Sequence, residues 1–186
     1  MAKKRSVYEV RVERNVEAKM RDGVVLRADV ARPKARGKFP VLLIRTPYGK
    51  SVNTRLAAAG YVVIAQDMRG RYASEGTYTP KFMPGYRDAE DGYDTVEWAA
   101  RLLYSIGKVG VFGISYPSWA SWELAWKRPP HLVAMFNGGY ATRLTDWELG
   151  GVLRIGRVQQ WLFGTLAPNT GMTDSMVTYF QEHMPE

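Results

Sequence analysis

At residues 109–118 the chain reads VGVFGISYPS. The apolar residues 109–112 predict a buried strand, and the residues after Ser115 open a helix-like stretch. A tight turn between a strand and a helix can hold a serine in a strained conformation with its hydroxyl exposed, provided that small residues flank it. Ser115 is therefore the candidate nucleophile of a nucleophile elbow.

The same residues have a simpler interpretation, because glycine and serine are common in turns and at helix starts. Aromatic and apolar residues follow the turn and predict a helix packed under a sheet: Trp119, Trp122, Leu124 and Trp126. On this pattern alone, a catalytic serine and an ordinary helix entry both remain open.

Strands and helices alternate on both sides of this stretch. Strands are predicted at residues 8–12, 24–30, 41–44, 61–64 and 131–136, with a helix at 52–59. The first two strands form an antiparallel entry around a turn at 21–23. Because alternating strands and helices pack as a mainly parallel sheet, the predicted fold class is α/β.

Residues 88–103 give the clearest helical pattern, with small and apolar residues on one face. The other face is acidic and contains Asp88, Glu90, Asp91, Asp94 and Glu97. Carboxylates near a helix N-terminus interact favourably with the helix dipole. We expect these acids to form a solvated face rather than a metal site.

Composition narrows the classes of function. The 186-residue chain is 46% hydrophobic and has no cysteine, which excludes disulfides, thiolate metal sites and a cysteine nucleophile. Its two histidines lack metal-ligand spacing, so neither a metal nor a cofactor is expected. The net charge of +8 is spread along the chain, which argues against a nucleic-acid partner. With no long apolar run or signal peptide, we expect no membrane association and a cytoplasmic location.

Several motifs occur in an order that resembles a known family. They are RTPYGK at 45–50, QDMRGR at 66–71, SEG at 74–76, the helix at 88–98, and GISYP at 113–117. Together they resemble the N-terminal part of the cocaine esterase-like and X-Pro dipeptidyl-peptidase-like hydrolases of peptidase S15 type. The resemblance implies an α/β-hydrolase-like fold, with a mainly parallel twisted sheet and flanking helices.

The resemblance also implies a reaction, acyl transfer to water from a small ester, amide or peptide substrate. Ser115 matches the family nucleophile, and the oxyanion donors correspond to the Tyr48 hydroxyl and the Tyr116 backbone N–H. A phenol at the end of the 41–44 strand is also physically suited to stabilise an oxyanion. The charged residues Asp67, Arg69 and Arg71 resemble a family segment beside the active site, and we expect them to fix loop geometry.

A serine triad also needs an acid and a histidine, which follow the serine in α/β-hydrolases. Asp146 and His183 satisfy this order and are the candidate acid and base. Asp146 also resembles the family segment that enters a helical cap, whereas His131 precedes a strand and suits a structural role. We interpret residues 1–146 as the N-terminal portion of an α/β-hydrolase domain, truncated before its final strands, and 147–186 as the start of a cap or a tail.

A sheet that stops early would leave an open edge, which favours pairing with another chain. We therefore expect a homo-oligomer or association with a complementing chain, with residues 161–163 (WLF) as a candidate contact. The alternative function is a non-catalytic α/β-hydrolase-like module that binds a ligand or a partner.

Overall fold

The computed structural model describes residues 7–79 and 85–139, together with the backbone of 148–149 and 152–153. A six-stranded sheet contains β1 (Val10–Lys19), β2 (Val25–Pro33), β3 (Phe39–Thr46), β4 (Val62–Asp67), β5 (Ser105–Ile114) and β6 (Leu132–Gly138). The strands lie in the order β1-β2-β4-β3-β5-β6. The two entry strands are antiparallel, and β4, β3, β5 and β6 are mutually parallel, as predicted.

Helices cover both faces of the sheet. They are α1 (Thr54–Ala58), α2 (Asp88–Ala100) and α3 (Tyr116–Trp126). Alternation along β4 separates the faces, because successive strand side chains point to opposite sides. Val62 and Ile64 join the main core with α2 and α3, whereas Val63 packs against Ala57 of α1.

A short antiparallel pair, β7 (Glu148–Leu149) and β8 (Val152–Leu153), belongs to a second compact unit, Ala141–Glu186. The first unit is Met1–Tyr140 and contains the six-stranded sheet. The domain boundary at residue 146 and the contact at 161–163 fall outside the described residues and stay predictions. Among the described residues, no helix has the length and hydropathy needed to cross a membrane.

Helix α2 differs from its prediction in two respects. It ends at Ala100, so Leu103 lies beyond it and is 90% exposed instead of joining the apolar face. The prediction of a solvated acidic face is also wrong in part, because Asp88, Asp91 and Glu97 are buried. Each buried carboxylate faces a cationic or polar partner from another part of the chain, which offsets the cost of its desolvation.

Helix α3 is only partly buried. It packs on the sheet as predicted, with Leu124 in the main core, but Trp122 and Trp126 on its other side are exposed. On the neighbouring strand β6, Val133 and Phe136 are also exposed. Strand β6 lies at one edge of the described sheet, and association with another chain at an open edge remains a prediction.

Candidate functional site

Ser115 occupies the turn between β5 and α3, where the sequence pattern places it. Its backbone has φ 63° and ψ −126°, and its side chain is exposed. A positive φ is costly for a residue with a Cβ, so the surrounding structure must hold the turn. Part of this support is the Ser115 backbone N–H, which donates to the carbonyl of Gly138 at 3.0 Å.

Gly113 provides the space that this turn needs. A Cβ atom at Gly113 would lie 2.5 Å from the carbonyl carbon of Pro117 and 2.7 Å from the backbone nitrogen of Ser118. Both are backbone atoms of the first turn of α3, so a side chain at position 113 would push the helix away from the strand.

We expect Gly113→Ala to lower the free energy of unfolding by about 2 kcal/mol, because the added methyl group overpacks a rigid turn. Gly110→Ala is the matched control on the same strand, where the new Cβ would meet the flexible Leu42 side chain at 3.3 Å. Urea unfolding of the two variants measures the difference. Equal stabilities would show that the turn at Ser115 adapts to a side chain.

Tyr48 lies at the same end of the sheet as Ser115, beyond the carboxyl ends of the parallel strands. It follows β3, and β3 pairs in parallel with β5, so the carboxyl ends of the two strands are neighbours. The Tyr48 ring makes an edge contact with the ring of Tyr116, with centroids 6.3 Å apart. The Tyr48 side chain remains 37% exposed. The structure therefore brings together the three predicted site residues Ser115, Tyr116 and Tyr48.

The loop that carries Tyr48 is held from both sides. On one side, the buried Asp67 carboxylate accepts from the Lys50 backbone N–H at 2.8 Å and from Lys50 Nζ at 2.5 Å. On the other side, Arg71 Nε donates to the Pro47 carbonyl at 2.9 Å. These contacts agree with the loop-fixing role that the sequence assigns to the charged segment.

Arg69 extends the same support to α2. Its guanidinium donates to both carboxylate oxygens of Asp91, at 2.8 and 2.6 Å, and also contacts Asp22. The hydrogen bond with Asp91 is the main cause that raises the pKa of Arg69 above its usual value. This bidentate geometry indicates a structural role, because the two hydrogen bonds fix both side chains.

A buried polar cluster beneath Tyr116 was not found from the sequence. The Tyr116 hydroxyl donates to Asp88 Oδ2 at 3.4 Å, and Arg45 lies 3.5 Å from Asp88 Oδ1. Burial raises the pKa of Asp88, with Arg45 opposing that effect. Burial also raises the pKa of Tyr116 well above its usual value, so its phenol is neutral and can donate.

Within residues 7–79 and 85–139, the one histidine is His131, and it lies at the opposite end of β5 from Ser115. His131 precedes β6, at the end of the sheet where β5 begins, whereas Ser115 follows the end of β5. Its Nδ1 atom is 2.8 Å from Glu97 Oε2, which gives it the structural role expected from the sequence. Asp146 and His183, the candidate acid and base, lie outside the described residues.

Comparisons with known proteins agree with this architecture. The family model of X-Pro dipeptidyl-peptidase (S15 family) matches residues 22–182. Cocaine esterase from Rhodococcus sp. (strain MB1 Bresler) is 41% identical over 124 residues, which are 61% of this chain and 21% of the esterase.

Solved structures give the same result for the fold. A CocE/NonD family hydrolase from Staphylococcus aureus is 29% identical, with a TM-score of 0.78 over 92% of this chain and 36% of that one. An α-amino acid ester hydrolase is 26% identical, with a TM-score of 0.68 over 90% of this chain and 31% of its own. The fold is therefore that of the α/β-hydrolases, and the chain spans about a third or less of the length of these relatives.

Proposed function

Because the chain belongs to the X-Pro dipeptidyl-peptidase (S15) family, we propose that it carries the nucleophile of a serine hydrolase that cleaves ester or amide bonds. The acyl-enzyme would form on Ser115. The observation that carries the proposal is the backbone of Ser115, with φ 63° in an exposed turn between β5 and α3. Strain of this kind is characteristic of a nucleophile elbow and serves no evident purpose in an ordinary helix start.

The proposed mechanism begins with attack of Ser115 Oγ on the carbonyl carbon of the substrate. Its proton passes to a general base, and the carbonyl oxygen becomes an oxyanion. The Tyr116 backbone N–H and the Tyr48 hydroxyl would donate to that oxyanion. Collapse of the tetrahedral intermediate releases the alcohol or amine, which takes up the proton held by the general base. The same base then deprotonates a water molecule, which releases the acid and regenerates Ser115.

The general base of this mechanism is a residue other than His131. His131 lies at the opposite end of the sheet from Ser115 and is paired with Glu97, so it is unsuited to the role. Asp146 and His183 keep the chain order that α/β-hydrolases require and remain the proposed acid and base of the chain. A complementing chain is the other proposed source of these groups.

A fluorophosphonate probe tests the proposal directly, because it phosphonylates activated serines. Trypsin cleavage after Lys108 and Lys127 yields one peptide that contains Ser115, Ser118 and Ser121. Fragmentation of this peptide should place the adduct on Ser115, since Ser118 and Ser121 are buried. The heat-denatured chain is the control and should remain unlabelled. Absence of an adduct on the folded chain would favour the non-catalytic binding module.

We expect Tyr48→Phe to slow fluorophosphonate labelling by a factor of about 10² to 10³, the usual cost of losing one oxyanion donor. Tyr72→Phe is the matched control, because Tyr72 is an exposed phenol whose ring lies against Gly49 in the same loop. The second-order rate constant of labelling is the measurement. Equal rates for Tyr48→Phe and the unmodified chain would remove Tyr48 from the proposed mechanism.

A further inference from the structure

We propose that Tyr78 is a positioning residue that connects the two oxyanion donors and holds them as one unit. The proposal rests on the function proposed above, because it concerns the groups assigned there to the oxyanion. The two donors come from different parts of the chain: Tyr48 follows β3, and Tyr116 begins α3 after β5. Oxyanion stabilisation depends on donors that are fixed before the charge develops, so a link between these segments has catalytic value.

Tyr78 reaches the Tyr48 loop through Arg71. The Arg71 guanidinium lies over the Tyr78 ring, with its Cζ atom 5.2 Å from the ring centroid. The same side chain donates from Nε to the carbonyl of Pro47, the residue before Tyr48. A buried cation that is fixed by an aromatic face and a carbonyl has little freedom to move.

Tyr78 reaches the second donor through the side chain of Tyr116. The Tyr78 hydroxyl donates to the Tyr116 hydroxyl at 3.3 Å, and the Tyr116 hydroxyl donates in turn to Asp88. The Tyr116 ring also contacts the ring of Tyr48. Fixing this side chain restrains the backbone of the residue whose N–H is the proposed donor.

The position of Tyr78 suits a supporting role rather than contact with substrate, because it is 3% exposed. Its backbone nitrogen would lie only 2.0 Å from a Cβ at Gly70, so the two backbones are tightly packed. Burial raises the pKa of the Tyr78 phenol above its usual value, which keeps its proton available for donation. No motif in the sequence marks Tyr78, since its hydrogen-bond partner Tyr116 is 38 residues away in the chain.

The test compares Tyr78→Phe with Tyr104→Phe. The control is matched, because Tyr104 also lies under an arginine, with Arg32 Cζ 4.6 Å from its ring centroid, and phenylalanine keeps that contact. We expect Tyr78→Phe to slow fluorophosphonate labelling about tenfold, which corresponds to the loss of one hydrogen bond. We expect faster hydrogen exchange of the backbone amides of Ser115, Tyr116, Ser118 and Trp119 in the same variant. Tyr104→Phe should leave both measurements unchanged.

A double-mutant cycle separates positioning from general destabilisation. If Tyr78 acts through the donors, adding Tyr78→Phe to Tyr48→Phe should slow labelling by clearly less than tenfold, because one of the two donors is already lost. Two results would overturn the inference about Tyr78 while leaving the proposed function standing. One is a full tenfold slowing of labelling by Tyr78→Phe both in the unmodified chain and in Tyr48→Phe, and the other is an equal labelling rate for Tyr78→Phe and the unmodified chain. Failure of the unmodified chain to react at all would overturn the proposed function instead.

Discussion

Ser115→Ala should abolish fluorophosphonate labelling and should lower hydrolysis of an ester substrate by a factor of roughly 10⁴ to 10⁶. The reason is that the proposed acyl-enzyme forms on the Ser115 hydroxyl, and alanine has no such group. Ser115 is exposed, and its backbone has φ 63°. The intact mass of the chain after incubation with the probe gives the result in a single measurement.

Ser51→Ala is the control for this experiment, since Ser51 is also exposed but lies in the loop before α1. Its labelling rate should equal that of the unmodified chain. Labelling is more decisive than turnover of an activated ester, because lysine and tyrosine side chains hydrolyse such esters slowly. An adduct that persists in Ser115→Ala would place the reactive serine elsewhere and would contradict the assignment.

Asp67→Asn should lower the free energy of unfolding by about 3 to 5 kcal/mol, the usual cost of breaking a buried ion pair. Asp67 is fully buried, and Lys50 Nζ, whose side chain is 10% exposed, lies 2.5 Å from its carboxylate. The amide would leave the Lys50 ammonium group without its counter-charge, and its NH2 group would face either that ammonium or the Lys50 backbone N–H, both of which are donors. Urea unfolding followed by circular dichroism measures the change.

Glu9→Gln is the matched control for an ion pair. Lys34 Nζ lies 2.8 Å from Glu9 Oε1, but both side chains are well exposed, so water and salt screen the interaction. The control should show no measurable loss of stability. If Asp67→Asn also left the free energy of unfolding unchanged, the Lys50 ammonium group would have to reach solvent or another acceptor. The Tyr48 loop would then not depend on Asp67.

Much of the architecture could be predicted from the sequence, because local patterns determine it. Continuous apolar runs mark the parallel strands β3, β4 and β5, and these strands lie in the middle of the sheet. The position of Ser115 was also predictable, because the strand residues, Gly113 and the helix start are contiguous. The boundaries were less exact: α1 spans Thr54–Ala58, whereas the pattern gave 52–59.

The environment of the acidic residues of α2 could not be predicted, because it depends on distant parts of the chain. Asp88 faces Arg45 of β3, Asp91 binds Arg69 after β4, and Glu97 binds His131 before β6. A helical pattern reports only which residues share a face, and it cannot identify partners from other elements. The same reason explains why the pattern did not reveal Tyr78.

The register of the sheet also has a consequence for folding. Val41 pairs with Val109, although α1, β4 and α2 lie between them in the chain. Contacts between residues so distant in sequence are slow to form, because the intervening chain must be ordered first. Ser115 and Tyr48 therefore come together only when β3 and β5 have paired. Any intermediate built from local helices and hairpins lacks the site, however much secondary structure it contains.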